Sequence, residues 1–241
     1  MSALQRGASG GSSGDSAGPP PAWRSRWFQR AARPILKALY SVRVHHRERM
    51  PSSGPVIVVV NHTGFLDGPF AFGCLPRAGH FLVLDKTFIG WMGRLLTWSG
   101  QIPISQDRGD RTALGQALEV LRRGGMLGIF PEGGRGRGDL AEAGKGAAWL
   151  ALQSGAVIVP VACLGTRYTG DLAASWPRLR APLVLDLGEP FRIEPRPGVP
   201  GRVRLEHASE EIRTRLAAHV TAASTRHGIP LPTDIPPDLV T

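Results

Sequence analysis

The stretch Val56-Ile57-Val58-Val59-Val60-Asn61-His62-Thr63-Gly64-Phe65-Leu66-Asp67-Gly68-Pro69 decides the architecture of this 241-residue chain. Five β-branched aliphatic residues in succession leave no face for water, so they predict a strand buried in a sheet that carries helices. The short loop after them ends at Asp67-Gly68-Pro69, which reads as a helix start, with Asp67 near the cap and Pro69 in the first turn. Outward from this unit the alternation repeats. Strand-like runs fall at 42–47, 81–84, 101–104, 126–130, 157–163 and 183–187, and helix-period stretches at 68–75, 88–99, 111–123, 141–154 and 202–226. Such alternation predicts an α/β fold: a single domain, 42–226, with a mixed, largely parallel sheet covered by helices on both faces.

Hydrophobic residues at 42% and charged residues at 20% exclude wholesale disorder and a fibrous repeat. No apolar run nears the roughly 18 residues of a membrane-spanning helix. Cys74 and Cys163 are far apart, which excludes a disulfide scaffold and argues against a zinc module; the histidines show no ligand spacing, so no metal is expected. Met1-Ser2-Ala3-Leu4 lacks the charged and apolar regions of a secretory leader, and secretion is not expected. Residues 1–22, built of Gly, Ser, Ala and Pro, predict a disordered tail, and the proline-rich residues 227–241 an extended one.

The net charge of +10 is uneven: Arg24, Arg26, Arg30, Arg33, Lys37, Arg43, Arg47 and Arg49 face only Glu48 between residues 23 and 50. A cationic anchor on a nearly neutral domain needs a polyanionic partner, either nucleic acid or an acidic lipid surface. On a helical projection of 23–41, Trp23, Trp27, Phe28, Ala31, Ile35, Ala38 and Leu39 share one face, opposite Arg26, Gln29, Arg30, Arg33 and Lys37. Aromatic residues opposite arginines describe a basic amphipathic helix lying in a headgroup layer, as against a basic-surfaced helix packed on the core. No base-reading module follows, so nucleic acid is the weakest of the three readings. Pro34 predicts a break after Arg33 and hence two short helices.

Four blocks carry residues suited to chemistry. In the first, a short loop lets the Asp67 carboxylate fold back on His62, holding one tautomer and stabilising the imidazolium that forms when the ring takes a proton. The second is Gly100-Gln101-Ile102-Pro103-Ile104-Ser105-Gln106-Asp107-Arg108, a short strand ending near an arginine. In the third, Phe130-Pro131-Glu132-Gly133-Gly134-Arg135-Gly136-Arg137-Gly138, glycines can bring backbone N–H groups close to a phosphate with guanidiniums alongside. Asp139, Ala141 and Gly146 stand where a dinucleotide fingerprint or a P-loop would need other residues. The fourth is Val159-Pro160-Val161-Ala162-Cys163, followed by Gly165-Thr166-Arg167. If the sheet is mainly parallel, His62, Arg108, Glu132 and Arg135 all leave it at one edge, where open α/β sheets bind ligands.

Taken in order, these blocks resemble the glycerolipid acyltransferases, and among them the bacterial lysophosphatidate (1-acylglycerol-3-phosphate) acyltransferases. The likeness spans 40–190 and rests on the His62-x4-Asp67 pattern, on Arg108, on Phe130-Pro131-Glu132-Gly133 with Arg135, on Val159-Pro160-Val161, and on Lys86 before a short helix. Gly134 stands where that family carries a hydroxyl residue, and Pro103 where a bulkier one is common. The resemblance implies transfer of a fatty acyl group from an acyl-CoA or acyl carrier protein thioester to a lysophospholipid hydroxyl in phospholipid biosynthesis. His62 would be the base and Asp67 its orienting group. Arg108 and Arg135 would hold the acceptor phosphate, with Lys86 and Arg137 as lesser candidates; backbone N–H groups around Gly64 or Gly133 would stabilise the charge developing on the thioester oxygen, and Glu132 would organise its own loop or an arginine. No cofactor is implied beyond the thioester co-substrate. An imidazole, with an ordinary pKa of about 6.5, suits proton abstraction at neutral pH, and a thiol of pKa about 8.5 leaves without strong acid assistance. The implied location is the cytoplasmic face of an anionic membrane, peripheral or monotopic. Other acceptors (glycerol-3-phosphate, a lyso-ornithine lipid, another lysophospholipid, or water) would use the same site. A non-enzymatic membrane- or RNA-binding role for the basic residues leaves the Asn61–Asp67 block without a purpose.

Overall fold

The computed structural model describes residues 20–105, 110–140 and 144–239; the tail expected at 1–22 lies almost entirely outside them. In chain order the elements are α1 (Ala22–Leu39), β1 (Ser41–His45), β2 (Val56–Val60), α2 (Asp67–Cys74), β3 (His80–Leu84), α3 (Gly90–Ser99), β4 (Ile102–Ile104), α4 (Arg111–Arg122), β5 (Met126–Ile129), α5 (Gly146–Ser154), β6 (Val157–Leu164), β7 (Pro182–Leu187) and α6 (Gly201–His227).

The seven strands form one sheet in the order β1-β7-β6-β2-β5-β3-β4. The wholly aliphatic β2 sits in its middle, parallel to both neighbours, with Val60 opposite Val161 and Val59 opposite Ile129. Its alternation divides the core. Ile57 and Val59 join the cluster under α4, α5 and α6, while Val56, Val58 and Val60 join the one under α1 and α2. Strand β7 is antiparallel to β6 and parallel to β1, so these two run against the other five and make the sheet mixed. The carboxyl ends of β6, β2 and β5 lie side by side, and the loops leaving them meet.

Two sequence expectations fail locally. Helix α5 starts at Gly146 rather than at 141, because Gly144 N–H donates to Pro131 O (2.7 Å) and ties the preceding chain to the loop after β5. Pro34 does not divide the amino-terminal helix: α1 runs through it. A proline there removes one N–H and crowds the previous turn, but the helix is pinned on both sides of it. Gln29 Nε2 donates to Phe72 O and Leu75 O (3.2 and 2.7 Å), and Arg33 to Cys74 O and Leu75 O (3.1 and 2.9 Å). Those carbonyls at the end of α2 need such donors. Leu36 and Tyr40 are buried just beyond. The helix thus packs through these polar groups together with Leu36, Tyr40 and Phe28, whose ring lies 5.2 Å from that of Phe72, while Trp23 and Trp27 look outward, 53% and 62% exposed.

Candidate active site

The site is built where β2 stops. Asn61 extends the ladder with its side chain, Nδ2 donating to Cys163 O (3.1 Å) and Oδ1 accepting from Cys163 N (2.7 Å). That clamp fixes the strand end from which His62 projects. Asp67, fully buried at the start of α2, folds back as its spacing predicts. Its Oδ2 accepts from Thr63 N (2.6 Å) and Gly64 N (2.8 Å) and contacts His62 Nδ1 at 2.8 Å. Its Oδ1 accepts from the Thr166 hydroxyl and, at 3.4 Å, from the Cys163 thiol. Burial alone would raise the Asp67 pKa, but the bonds from His62, Thr166 and Gly64 outweigh it and hold the carboxyl below its ordinary range. An ionised Asp67 assigns the proton to Nδ1 and leaves Nε2 as the basic nitrogen. The His62 side chain is 16% exposed, and its ring stacks on Phe130 at 4.3 Å.

The loop after β5 braces the same histidine from the other side. Glu132 Oε1 accepts from His62 N (2.7 Å), and Gly136 N donates to His62 O (3.0 Å), so one loop grips both polar groups of that residue's backbone. Glu132 also takes a backbone hydrogen bond from Leu140, so its carboxylate ties its own loop to the histidine. Burial pushes its carboxyl up to about 7. Gly133 turns the loop at φ 68°, its N–H donating to Phe130 O (3.1 Å). Gly138, at φ 70°, lets the loop touch its neighbour: a Cβ there would lie 2.5 Å from Thr63 Cγ2. Arg135 is half-buried with its guanidinium over the Phe65 ring at 5.5 Å, and its Nε is buried without a hydrogen-bond partner. A basic group therefore stands against the loop that carries His62. Arg137 pairs with Asp139 at 2.9 Å. Lys86 is exposed in the turn leaving β3, and Arg108 lies outside the described residues.

Four residues that lie within the sequence blocks without a role assigned to them there also build the site: Asn61, Cys163, Thr166 and Arg167. The available signal was Gly165-Thr166-Arg167, which leaves a strand parallel to β2 at its carboxyl end. Arg167 is fully buried, and Gly64 lies close beside it: a Cβ there would meet Arg167 Cβ at 3.2 Å, a tight contact. Among the described residues no cluster of histidine, cysteine or carboxylate side chains could hold a metal ion, and no helix is long and apolar enough to cross a membrane.

Residues 41–164 match the acyltransferase family model. The chain is 24% identical over 188 residues to the 1-acyl-sn-glycerol-3-phosphate acyltransferase of Bacillus subtilis, covering 77% of this chain and 92% of that one. A chloroplastic 1-acyl-sn-glycerol-3-phosphate acyltransferase of Arabidopsis thaliana is 31% identical over 137 residues, 53% of this chain and 37% of the plant protein. The crystal structure of the 1-acyl-sn-glycerophosphate acyltransferase of Thermotoga maritima superposes with a TM-score of 0.64, covering 84% of this chain and 80% of that one. At 22% identity that likeness concerns the fold.

Proposed function

Because the chain belongs to the acyltransferase family, we propose that it moves a fatty acyl group from an acyl-CoA or acyl carrier protein thioester to the free hydroxyl of lysophosphatidate. The observation that carries this reading is the His62–Asp67 pair: a buried carboxylate fixes Nδ1 of a ring that is itself partly open, beside Arg135. Nε2 takes the proton from the acceptor hydroxyl as its oxygen attacks the thioester carbonyl. The tetrahedral intermediate collapses, the C–S bond breaks, and the imidazolium returns the proton to the departing sulfur, giving ester and free thiol. Asp67 stabilises the cationic ring between those two transfers. Arg135 suits the phosphate of the acceptor, because a guanidinium offers several donors to a tetrahedral oxyanion. Glu132 acts through the backbone of His62 as a positioning residue.

The acceptor and product are membrane lipids, and the surface suits them. Around α1 the exposed apolar side chains are Trp23, Trp27, Ile35 and Leu39; α3 adds Trp91 and Trp98, and the loop before β7 adds Trp176 and Leu179. Phe65, next to the catalytic loop, packs on Trp176 at 5.6 Å, so this apolar rim reaches the site. Tryptophans with arginines between them favour an anionic bilayer interface, and we read the cytoplasmic leaflet as the surface served.

Thiol release from acyl-CoA, measured with and without lysophosphatidate, tests the reading. Strong stimulation by the acceptor is expected. Release that ignores it would point to water as the acceptor, and a parallel arm with acyl carrier protein identifies the donor.

A further inference from the structure

The largest fully buried side chain among the described residues is a charged one, Arg167. Its place in the loop after β6 is beside Thr166, which bonds Asp67, and against Gly64. A guanidinium in such a position needs acceptors and a counter-charge. Asp171 O accepts from it at 2.9 Å and Gly136 O at 3.4 Å. The ion pair comes from 67 residues away, in the segment after α6: Asp234 O accepts at 2.7 Å and Asp234 Oδ1 lies at 3.1 Å.

That segment was expected as an extended tail, and it grips the same loop repeatedly. Asp234 Oδ2 accepts from Gly170 N (2.9 Å), Thr233 N donates to Thr169 Oγ1 (3.1 Å), and Asp238 Oδ1 accepts from Ala173 N (2.8 Å). The loop so held touches the catalytic residues. Ala173 O accepts from Phe65 N (2.8 Å), and Gly136, which accepts from Arg167, donates to His62 O.

We infer that residues 229–239 form a strap belonging to the active site, in which Asp234 is a positioning residue that fixes His62 and Asp67 through buried Arg167. The strap contributes no atom to the chemistry. It holds 166–173 in place, and that loop in turn fixes 62–67 and the backbone at Gly136. This rests on the reading of His62 and Asp67 as the catalytic pair.

The test is steady-state acyl transfer by the full chain and by Asp234→Asn, with His62→Ala as the control. Asp234→Asn is expected to lower kcat about tenfold while KM for the thioester stays within about twofold, the signature of a disturbed transition state rather than lost binding. Circular dichroism and thermal melting establish that it is folded at the assay temperature. Asp234→Glu, which restores the charge, should recover part of the loss. An Arg167→Met, Asp234→Asn double variant should be no slower than the worse single variant, since the two act as one unit. Wild-type kcat in folded Asp234→Asn would overturn the strap, whereas an active His62→Ala would overturn the catalytic pair beneath it. Should Asp234→Asn not fold, Asp234→Glu carries the test: its displaced carboxylate should cost kcat several-fold, and undiminished kcat would refute the proposal.

Discussion

Two aspartates in this molecule are buried to the same degree and are each bonded to histidine, yet they sit on opposite faces of the sheet and do different work. Asp67 lies on the face of α2 and meets one ring, that of His62, at 2.8 Å. Asp186 of β7 faces α6, where His227 Nε2 and Arg226 reach its Oδ2 at 2.7 Å each and His219 Nε2 meets its backbone oxygen at 2.8 Å. His46 lies 3.8 Å from its Oδ1, and the His45 ring packs against His227 at 4.4 Å, tilted by 38°. Around Asp186 several cationic or neutral partners share one carboxylate and fasten α6 and the turn after β1 to β7. Around Asp67 every other bond comes from the protein's own backbone, a hydroxyl and a thiol, and in the proposed reaction the one ring exchanges its proton with the acceptor. On the proposed reading, the difference is that the Asp67 carboxylate is saturated by fixed donors while its one ring keeps an open edge, 16% exposed.

The comparison breaks or holds on paired substitutions. Asp67→Asn should lower kcat by about 10³-fold, since an amide neither holds the required tautomer nor stabilises the imidazolium. Asp186→Asn should leave kcat of the folded fraction near wild type. Its effect falls on stability, about 3 kcal/mol for a broken buried charge cluster, or a melting temperature roughly 6–12 °C lower. If both variants lost activity alike at full folding, the division between the two carboxylates would be wrong.

Acid should expose the structural carboxylate. Burial would raise the Asp186 pKa, but His227, His219 and Arg226 more than offset this and depress it. Its contribution is therefore present above the unfolded value of about 3.9 and lost as pH falls through the depressed folded one. Smaller again is Arg135→Ala, which should raise KM for a phosphorylated acceptor about tenfold with little change for the thioester, the size expected of one lost charge-assisted contact. An unchanged acceptor KM would remove Arg135 from that role.

Glu132 gives the subtlest signal and the opposite sign. Its carboxyl, at about 7 against 4.5 for an unburied one, is fully compatible with the fold below about pH 4.5. It becomes a liability as pH rises to about 7, where the unfolded chain ionises and the folded one resists. Urea midpoints from pH 4.5 to 7.5 should decline for wild type and flatten in Glu132→Gln, whose amide oxygen still accepts from His62 N. An unaltered slope would show that another group sets it.

The strand pattern was legible because seven apolar runs separated by helix-period segments admit few arrangements, and the parallel edge that gathers His62, Glu132 and Arg135 followed from it. Spacing alone also let Asp67 reach His62. Asn61, Cys163, Thr166 and the Arg167–Asp234 pair were not legible, since each bond there joins residues some 67 to 103 positions apart and uses ordinary polar side chains. The path of α1 through Pro34 was hidden for a similar reason. Local proline chemistry argues for a break, and only the carbonyls ending α2, which Gln29 and Arg33 satisfy, argue against one.

The central claim is that His62, unlike the histidines around Asp186, moves a proton in acyl transfer. The most direct measurement compares His62→Ala with His227→Ala in lysophosphatidate-dependent thiol release from a long-chain acyl-CoA, after matching their folded fractions. The account predicts about a 10³-fold loss for the first and at most about a twofold change for the second. More than a few per cent of activity surviving in folded His62→Ala would contradict it.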